Sequence, residues 1–148
     1  MKILFVCRGN VARSQIAEAF LNHLSNGAHH AISAGVWVCD EDRRTLEGQK
    51  ICDLEEAKVV LDSMRETGID VSGKIRKQLT PEMVGSADLV VVMSEDKVPD
   101  FLENCDKTIY WSIANPKGKS LDEVNRIRNQ ILELVKQLLR DLSHEAVT

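Results

Sequence analysis

One stretch decides how this sequence is expected to fold: Val6-Cys7-Arg8-Gly9-Asn10-Val11-Ala12-Arg13-Ser14. The run from Met1 to Val6, which leads into this stretch, is short and apolar without polar alternation, which is typical of a parallel strand buried on both faces. After it, apolar residues recur every three or four positions and indicate a helix that ends near Gly27, namely Ile16, Ala17, Phe20, Leu21 and Leu24. The stretch therefore predicts a glycine-containing turn between a central strand and a helix.

The remaining apolar patterns predict alternating strands and helices. Further strands are expected at 31–36, 89–93 and 107–111, and helices at 54–68, 81–84, 97–104 and from 121 onward. Capping boxes are expected at Asp53 with Glu56 and at Ser120 with Glu123, whereas the polar run at 37–52 is expected to be an exposed loop. This order predicts one α/β domain over residues 1–148, with three layers and a doubly wound, four-stranded parallel sheet.

The composition limits the classes of partner. The chain has 148 residues, of which 43% are hydrophobic and 28% are charged, as in ordinary globular proteins. Its 19 basic and 23 acidic residues give a net charge of −4, which argues against a nucleic-acid or membrane partner. Because no apolar run is long enough to span a bilayer and no signal peptide is recognised, we expect a cytoplasmic protein.

The four cysteines have neither CxxC spacing nor histidines at ligand spacing. They are expected to be reduced thiols, with no metal and no cofactor. The turn after the first strand also lacks the GK[ST] of a nucleotide-binding P-loop and the GxGxxG of a dinucleotide site.

The turn has the composition of an anion-binding loop with a nucleophile. Five residues separate Cys7 from Arg13, so that the loop N–H groups can converge on a tetrahedral anion at a helix N-terminus. The same groups favour the Cys7 thiolate, and the Arg13 guanidinium can bind two oxygens of a phosphoryl group. Gly9 permits the tight turn, Asn10 can hold the loop, and Ser14 can donate its hydroxyl to the Cys7 sulfur.

This loop resembles the signature loop of the low-molecular-weight protein tyrosine phosphatase family, whose fold is shared by thioredoxin-coupled arsenate reductases. The similarity continues through shorter pieces over nearly the whole chain: Ser33-Ala34-Gly35, Gly68-Ile69-Asp70, Gln78-Leu79-Thr80, Ala87 to Met93 and Trp111 to Pro116. The resemblance implies a hydrolase acting on a phosphorylated protein or a small phosphomonoester. Phosphate, sulfate or arsenate would occupy the loop.

By this resemblance, Cys7 attacks phosphorus to form a cysteinyl-phosphate, which water then hydrolyses, while Arg13 stabilises the equatorial oxygens. The other residues expected to bind substrate are Arg8, Gly9, Asn10, Val11, Ala12 and Ser14. In the family, an aspartate before a proline protonates the leaving group, but the matching pair here is Asn115-Pro116. The sequence therefore predicts an impaired phosphatase unless another acid substitutes, and Asp122, Glu95 and Asp96 are the nearest candidates.

Other departures from the family pattern keep the branches open. Ala12 stands where many members carry a second cysteine, and the segment after Met93 lacks the relay cysteines of the arsenate reductases. Val11 replaces the threonine of the arginine-phosphatase branch. Lys117 replaces a tyrosine, for which Trp37 or Trp111 could substitute, although a core position is expected for Trp111 and a loop anchor for Trp37. The alternatives are an arsenate-reductase-like oxidoreductase, with a relay of other cysteines, and a non-catalytic phosphate-binding regulatory domain.

Overall fold

The computed structural model describes residues 1–95 and 97–147, with the side chains of 145–147 left out. The strands within these residues are β1 (Lys2–Cys7), β2 (His30–Gly35), β3 (Leu89–Val92) and β4 (Thr108–Tyr110). The α-helices are α1 (Arg13–Leu24), α2 (Lys58–Arg65), α3 (Pro81–Ser86), α4 (Asp100–Glu103) and α5 (Leu121–Val147).

The four strands form one parallel sheet, as the sequence predicts, and their order is β2-β1-β3-β4. Side chains of β1 alternate between two cores because successive residues of a strand point to opposite faces. Ile3 and Phe5 pack with α1, α2 and α5, whereas Leu4 and Val6 pack on the side of α3 and α4. The predicted three-layer α/β fold is therefore confirmed.

The last helix begins where the capping pattern places it. The backbone N–H of Glu123 donates to Ser120 Oγ over 3.3 Å. The predicted apolar stripe is buried against the sheet: Val124, Ile127, Ile131, Val135, Leu138 and Leu142. No helix in the described ranges is both long and apolar enough to cross a membrane.

Two helices differ from the sequence prediction. The expected capping box at Asp53 and Glu56 does not form; two short 3₁₀ turns at Ile51–Asp53 and Glu55–Ala57 precede α2. Leu54 between them has extended backbone angles (φ −95°, ψ 122°), which interrupt the helical path until Lys58. The expected helix at 97–104 is shortened to α4. Helical backbone angles are disfavoured for the residue before a proline, here Val98, and the helix begins directly after Pro99.

Gly35 ends β2 directly beside the turn that follows β1. A Cβ atom at this position would lie 2.7 Å from the carbonyl oxygen of Arg8 and 2.9 Å from the backbone nitrogen of Asn10. Its φ is not in the left-handed region, so close approach rather than backbone strain explains the glycine. The missing side chain therefore allows the turn to pack against the end of the sheet.

The substitution Gly35→Ala tests this close contact. We expect it to destabilise the protein by about 2 kcal/mol, because an added methyl group in a fully packed position forces the backbone to shift. The measurement is urea unfolding, with Gly73→Ala as the control, because a Cβ at Gly73 meets nothing within 4 Å. Equal stability of the two variants would contradict the assigned role of Gly35.

Candidate active site

The turn after β1 lies at the carboxyl end of the sheet, where ligands bind in open α/β folds. Cys7 is the last residue of β1, and β2 and β3 flank that strand. Helix α1 begins at Arg13, and no side chain caps its N-terminus at Ala12. Its first N–H groups are therefore available to an anion held by the loop.

A cleft of about 1250 Å³ opens above this loop. Most of the sequence-predicted site residues line it: Cys7, Arg8, Gly9, Val11, Ala12, Arg13 and Asn115. The wall opposite comes from the long loop after β2 and from the segments before α2 and α5. The fold thus brings Asn115, far away in sequence, to the same cleft as Cys7.

Asn10 and Ser14 belong to the loop but lie beneath it rather than in the cleft wall. Both are fully buried, and Asn10 has a left-handed backbone (φ 57°). The Nδ2 group of Asn10 donates to Ser14 Oγ over 2.8 Å and to Ser33 Oγ over 3.0 Å. The side chains predicted to bind substrate at positions 10 and 14 therefore support the loop from below.

The hydrogen bonds of this cluster have a defined direction. The Asn10 Oδ1 atom accepts from the backbone N–H of Lys77 and from Gln15 Nε2, which fixes the orientation of the amide. Since Ser14 Oγ accepts from Asn10, its own hydrogen can point at Cys7 Sγ, 3.0 Å away. The arrangement places a hydrogen-bond donor beside the Cys7 sulfur, which is the atom expected to act as the nucleophile.

The hydrogen bonds of the cluster continue to the buried carboxylate of Glu18 and its two partly exposed lysine partners. Ser33 Oγ donates to Glu18 Oε1 over 3.1 Å, and Glu18 contacts Lys74 Nζ at 3.1 Å and Lys77 Nζ at 4.0 Å. Burial lowers the pKa of Lys77, and the Glu18 carboxylate partly opposes that effect. Sequence patterns single out Asn10, Ser14 and the Ser33-Ala34-Gly35 match of this network, but they do not indicate that Glu18, Lys74 and Lys77 join it.

Arg13 is held by one of its two terminal nitrogens. Its Nη1 donates to the carbonyl oxygens of Met93 at 2.7 Å and Ile113 at 3.1 Å, and to Glu95 Oε2 at 2.7 Å. The Nε and Nη2 groups make no hydrogen bond with the described residues, so they remain for an anion in the loop. Glu95, considered from the sequence as a substitute acid, is instead the ion-pair partner of Arg13.

Asn115 occupies the wall of the cleft with Pro116. Its side chain is exposed, and its Oδ1 accepts from the backbone N–H of Lys117 over 3.1 Å. Of the other substitute acids, Asp122 lies in the first turn of α5 and does not line the cleft, and Asp96 lies outside the described residues. Carboxylates that do line it were missed by the sequence reasoning, namely Asp40, Glu41, Asp42, Glu55 and Glu56.

Of the two tryptophans, one packs against the protein core and the other lies in the cleft wall. Trp111 packs on Phe5 with ring centroids 5.7 Å apart, as expected, whereas Trp37 is 46% exposed and lines the cleft. Cys39, expected to be a packing residue, is half-buried and also lines the cleft. No cluster of His, Cys, Asp and Glu side chains is arranged to hold a metal ion in the part of the chain whose side chains are described, residues 1–95 and 97–144.

The chain is similar to known proteins both in sequence and in fold. The sequence is 28% identical over 141 residues to arsenate reductase 2 of Staphylococcus saprophyticus, covering 91% of this chain and 93% of that protein. The fold matches the YwlE arginine phosphatase from Geobacillus stearothermophilus with a TM-score of 0.80 and 26% identity, over 99% of this chain and 95% of that one. It also matches the low molecular weight protein tyrosine phosphatase from T. tengcongensis with a TM-score of 0.76 and 26% identity, over 95% and 99% of the two chains.

These relatives include both reductases and phosphatases, so they do not by themselves select one reaction. The family, however, is shown directly, because the sequence model of the low molecular weight phosphotyrosine protein phosphatases matches residues 2–148. With the Cys7 to Ser14 loop at the end of β1 and the sheet order described above, the chain belongs to the low molecular weight phosphotyrosine protein phosphatase family.

Proposed function

We propose that this protein hydrolyses phosphomonoesters through a cysteinyl-phosphate intermediate, at a reduced rate. The observation that carries the proposal is the contact between Cys7 Sγ and Ser14 Oγ beneath a loop that lines one cleft, as Arg13 does. A nucleophile, a hydrogen-bond donor to it and a cation for the equatorial oxygens are then within one site. The expected substrate is a phosphorylated protein or a small phosphomonoester.

Both steps of this reaction conserve atoms and charge. In the first, the Cys7 thiolate attacks phosphorus, a sulfur–phosphorus bond forms, and the ester oxygen leaves and takes up a proton. In the second, water attacks phosphorus, loses a proton and releases inorganic phosphate together with the thiolate. Arg13 and the loop N–H groups stabilise the negative charge on the equatorial oxygens in both steps.

Asn115 limits the first step. An amide side chain can hydrogen-bond to the leaving oxygen but has no proton to deliver at neutral pH. A phenolate leaving group has a conjugate acid of pKa about 10, so its departure depends strongly on protonation. The proposed enzyme is therefore slowest with esters whose leaving group is most basic.

Arsenate reduction is the second candidate function. It is favoured by the similarity to arsenate reductase 2 of Staphylococcus saprophyticus and by the position of Cys39 in the wall of the cleft that Cys7 lines. Arsenate is a tetrahedral oxyanion like phosphate and suits the same loop. Reduction of As(V) to As(III) takes two electrons from two thiols, which become a disulfide as arsenite and water leave. Cys7 and Cys39 are the proposed pair of thiols. An external thiol then reduces their disulfide and regenerates the enzyme.

The nucleophile is tested by Cys7→Ser. Hydrolysis of p-nitrophenyl phosphate is expected to fall to the background rate, because a serine hydroxyl is not ionised at neutral pH, while inorganic phosphate still binds in calorimetry. Cys105→Ser, outside the cleft, is the matched control and should keep the natural rate. Phosphate binding by the natural protein without any hydrolysis would instead indicate a non-catalytic phosphate-binding regulatory domain.

The role of position 115 is tested by Asn115→Asp. We expect turnover of phenyl phosphate to rise on the order of 10²-fold, because a carboxylic acid restores proton donation to the leaving oxygen. The gain with p-nitrophenyl phosphate should be smaller, since that leaving group is less basic. Asn115→Ala controls for loss of the amide, and equal rates in the two variants would show that this position does not hold the general acid.

The second function is tested by Cys39→Ser. If Cys39 resolves the arsenate adduct on Cys7, the variant should lose arsenite formation supported by thioredoxin or glutathione, yet keep the hydrolysis of p-nitrophenyl phosphate. The exposed Cys52 provides the control substitution Cys52→Ser. Undiminished arsenite formation in the Cys39 variant would refute the pair, and none in the natural protein would refute the function.

A further inference from the structure

Arg76 is a buried cation beside the phosphate loop for which the proposed reaction has no role. It is 6% exposed and lines the same cleft as Cys7. It lies in the segment between α2 and α3, more than sixty residues after the loop in sequence, so no local pattern predicts its position. Nothing in the cysteinyl-phosphate chemistry requires a second arginine here.

Two of its three nitrogens are fixed by the protein. Arg76 Nε donates to the carbonyl oxygen of Gly9 over 3.0 Å, and Nη1 donates to Gln49 Oε1 over 3.0 Å. The third, Nη2, makes no hydrogen bond with any described residue. It lies against the loop, because a Cβ atom added at Gly9 would be 3.2 Å from it. The guanidinium is thus held rigidly with one pair of N–H donors unused.

Its charge also lacks a direct counter-ion. Among the described side chains, those of residues 1–95 and 97–144, no carboxylate lies within 4 Å of Arg76. Two carboxylates of the cleft wall are instead paired elsewhere, Glu55 with Lys58 at 3.4 Å and Glu56 with Lys117 at 3.7 Å. The positive charge beside the loop is therefore left for something that enters the cleft.

Burial makes this arrangement costly without a ligand. Desolvation lowers the pKa of Arg76, and the more distant charges of Glu56, Cys7 and Cys39 oppose that effect only in part. A buried charge is normally paired, because the attraction of a partner offsets the lost hydration. An anionic group placed against Nη2 would provide that compensation, and a carboxylate suits a guanidinium donor especially well.

We propose that Arg76 binds a second anionic group of the substrate, so that the protein prefers phosphopeptides with a carboxylate residue next to the phosphorylated one. This inference rests on the proposed phosphatase function and names its substrate class. Arg13 and the loop amides bind the phosphoryl group. Arg76, which is hydrogen-bonded to Gly9 of the same loop, binds the carboxylate side chain next to the phosphorylated residue of the peptide. Arg76 is thus a specificity-determining residue, separate from the groups that react.

The test compares two phosphotyrosine peptides that differ only in having Glu or Gln on both sides of the phosphotyrosine. For the natural protein, kcat/KM should be about tenfold higher for the Glu peptide, as a charge-assisted hydrogen bond provides. In Arg76→Met this ratio should fall to about one, and in Arg76→Lys part of it should remain. Arg140→Met removes one positive charge from the exposed end of α5 and should leave the ratio unchanged.

The ratio separates specificity from a purely structural role. If Arg76 only anchored Gly9, Arg76→Met would lower kcat/KM for both peptides equally and keep the preference, which would overturn the inference. A natural protein without any preference would overturn it too. Failure of the proposed function has a different signature, absence of p-nitrophenyl phosphate hydrolysis. In that case, the relative affinities of Cys7→Ser and Cys7→Ser/Arg76→Met for the two peptides decide the inference by binding alone.

Discussion

The Asn10 side chain connects the Cys7 to Ser14 loop to two other segments, and the geometry of the site depends on these bonds. Its Nδ2 group reaches Ser14 and Ser33, and its Oδ1 accepts from the backbone of Lys77 over 2.8 Å. All of this occurs in a left-handed residue with no exposed surface. Because asparagine tolerates that backbone and offers both donors and an acceptor, it can fix a loop that has no regular secondary structure.

The same loop concentrates positive charge in a protein of net charge −4. Arg13 is paired with the Glu95 carboxylate and also donates to two carbonyl oxygens from the same nitrogen, which orients its remaining donors. Arg76 is oriented by neutral acceptors alone, Gly9 and Gln49. Overall charge therefore says little about a site in which two buried guanidinium groups and a set of backbone amides determine the local field.

The two sides of the cleft differ in the groups that they carry. Cys7 Sγ contacts Ser14 Oγ on the loop side, whereas the opposite wall carries the amide of Asn115, the position that we propose for the leaving-group acid. The loop after β2 adds Trp37 and Cys39 to that wall. Both proposed reactions begin with a tetrahedral oxyanion in the same loop, a phosphate ester in one and arsenate in the other. The first then needs a proton for the leaving group, which the amide of Asn115 cannot deliver, and the second needs another thiol, for which we propose Cys39.

Local sequence patterns predict the sheet, the strand-to-helix loop and the apolar stripe of α5, because these depend on periodicity and on residues adjacent in the chain. It misplaced the start of α2, where an extended Leu54 overrides a capping pattern. Three other relationships arise from the folding of the whole chain: Glu95 pairs with Arg13, Cys39 lies in the cleft wall and Arg76 lies against Gly9. These relationships join segments tens of residues apart, and the crossovers of the fold, rather than any local pattern, bring such segments together at one edge of the sheet.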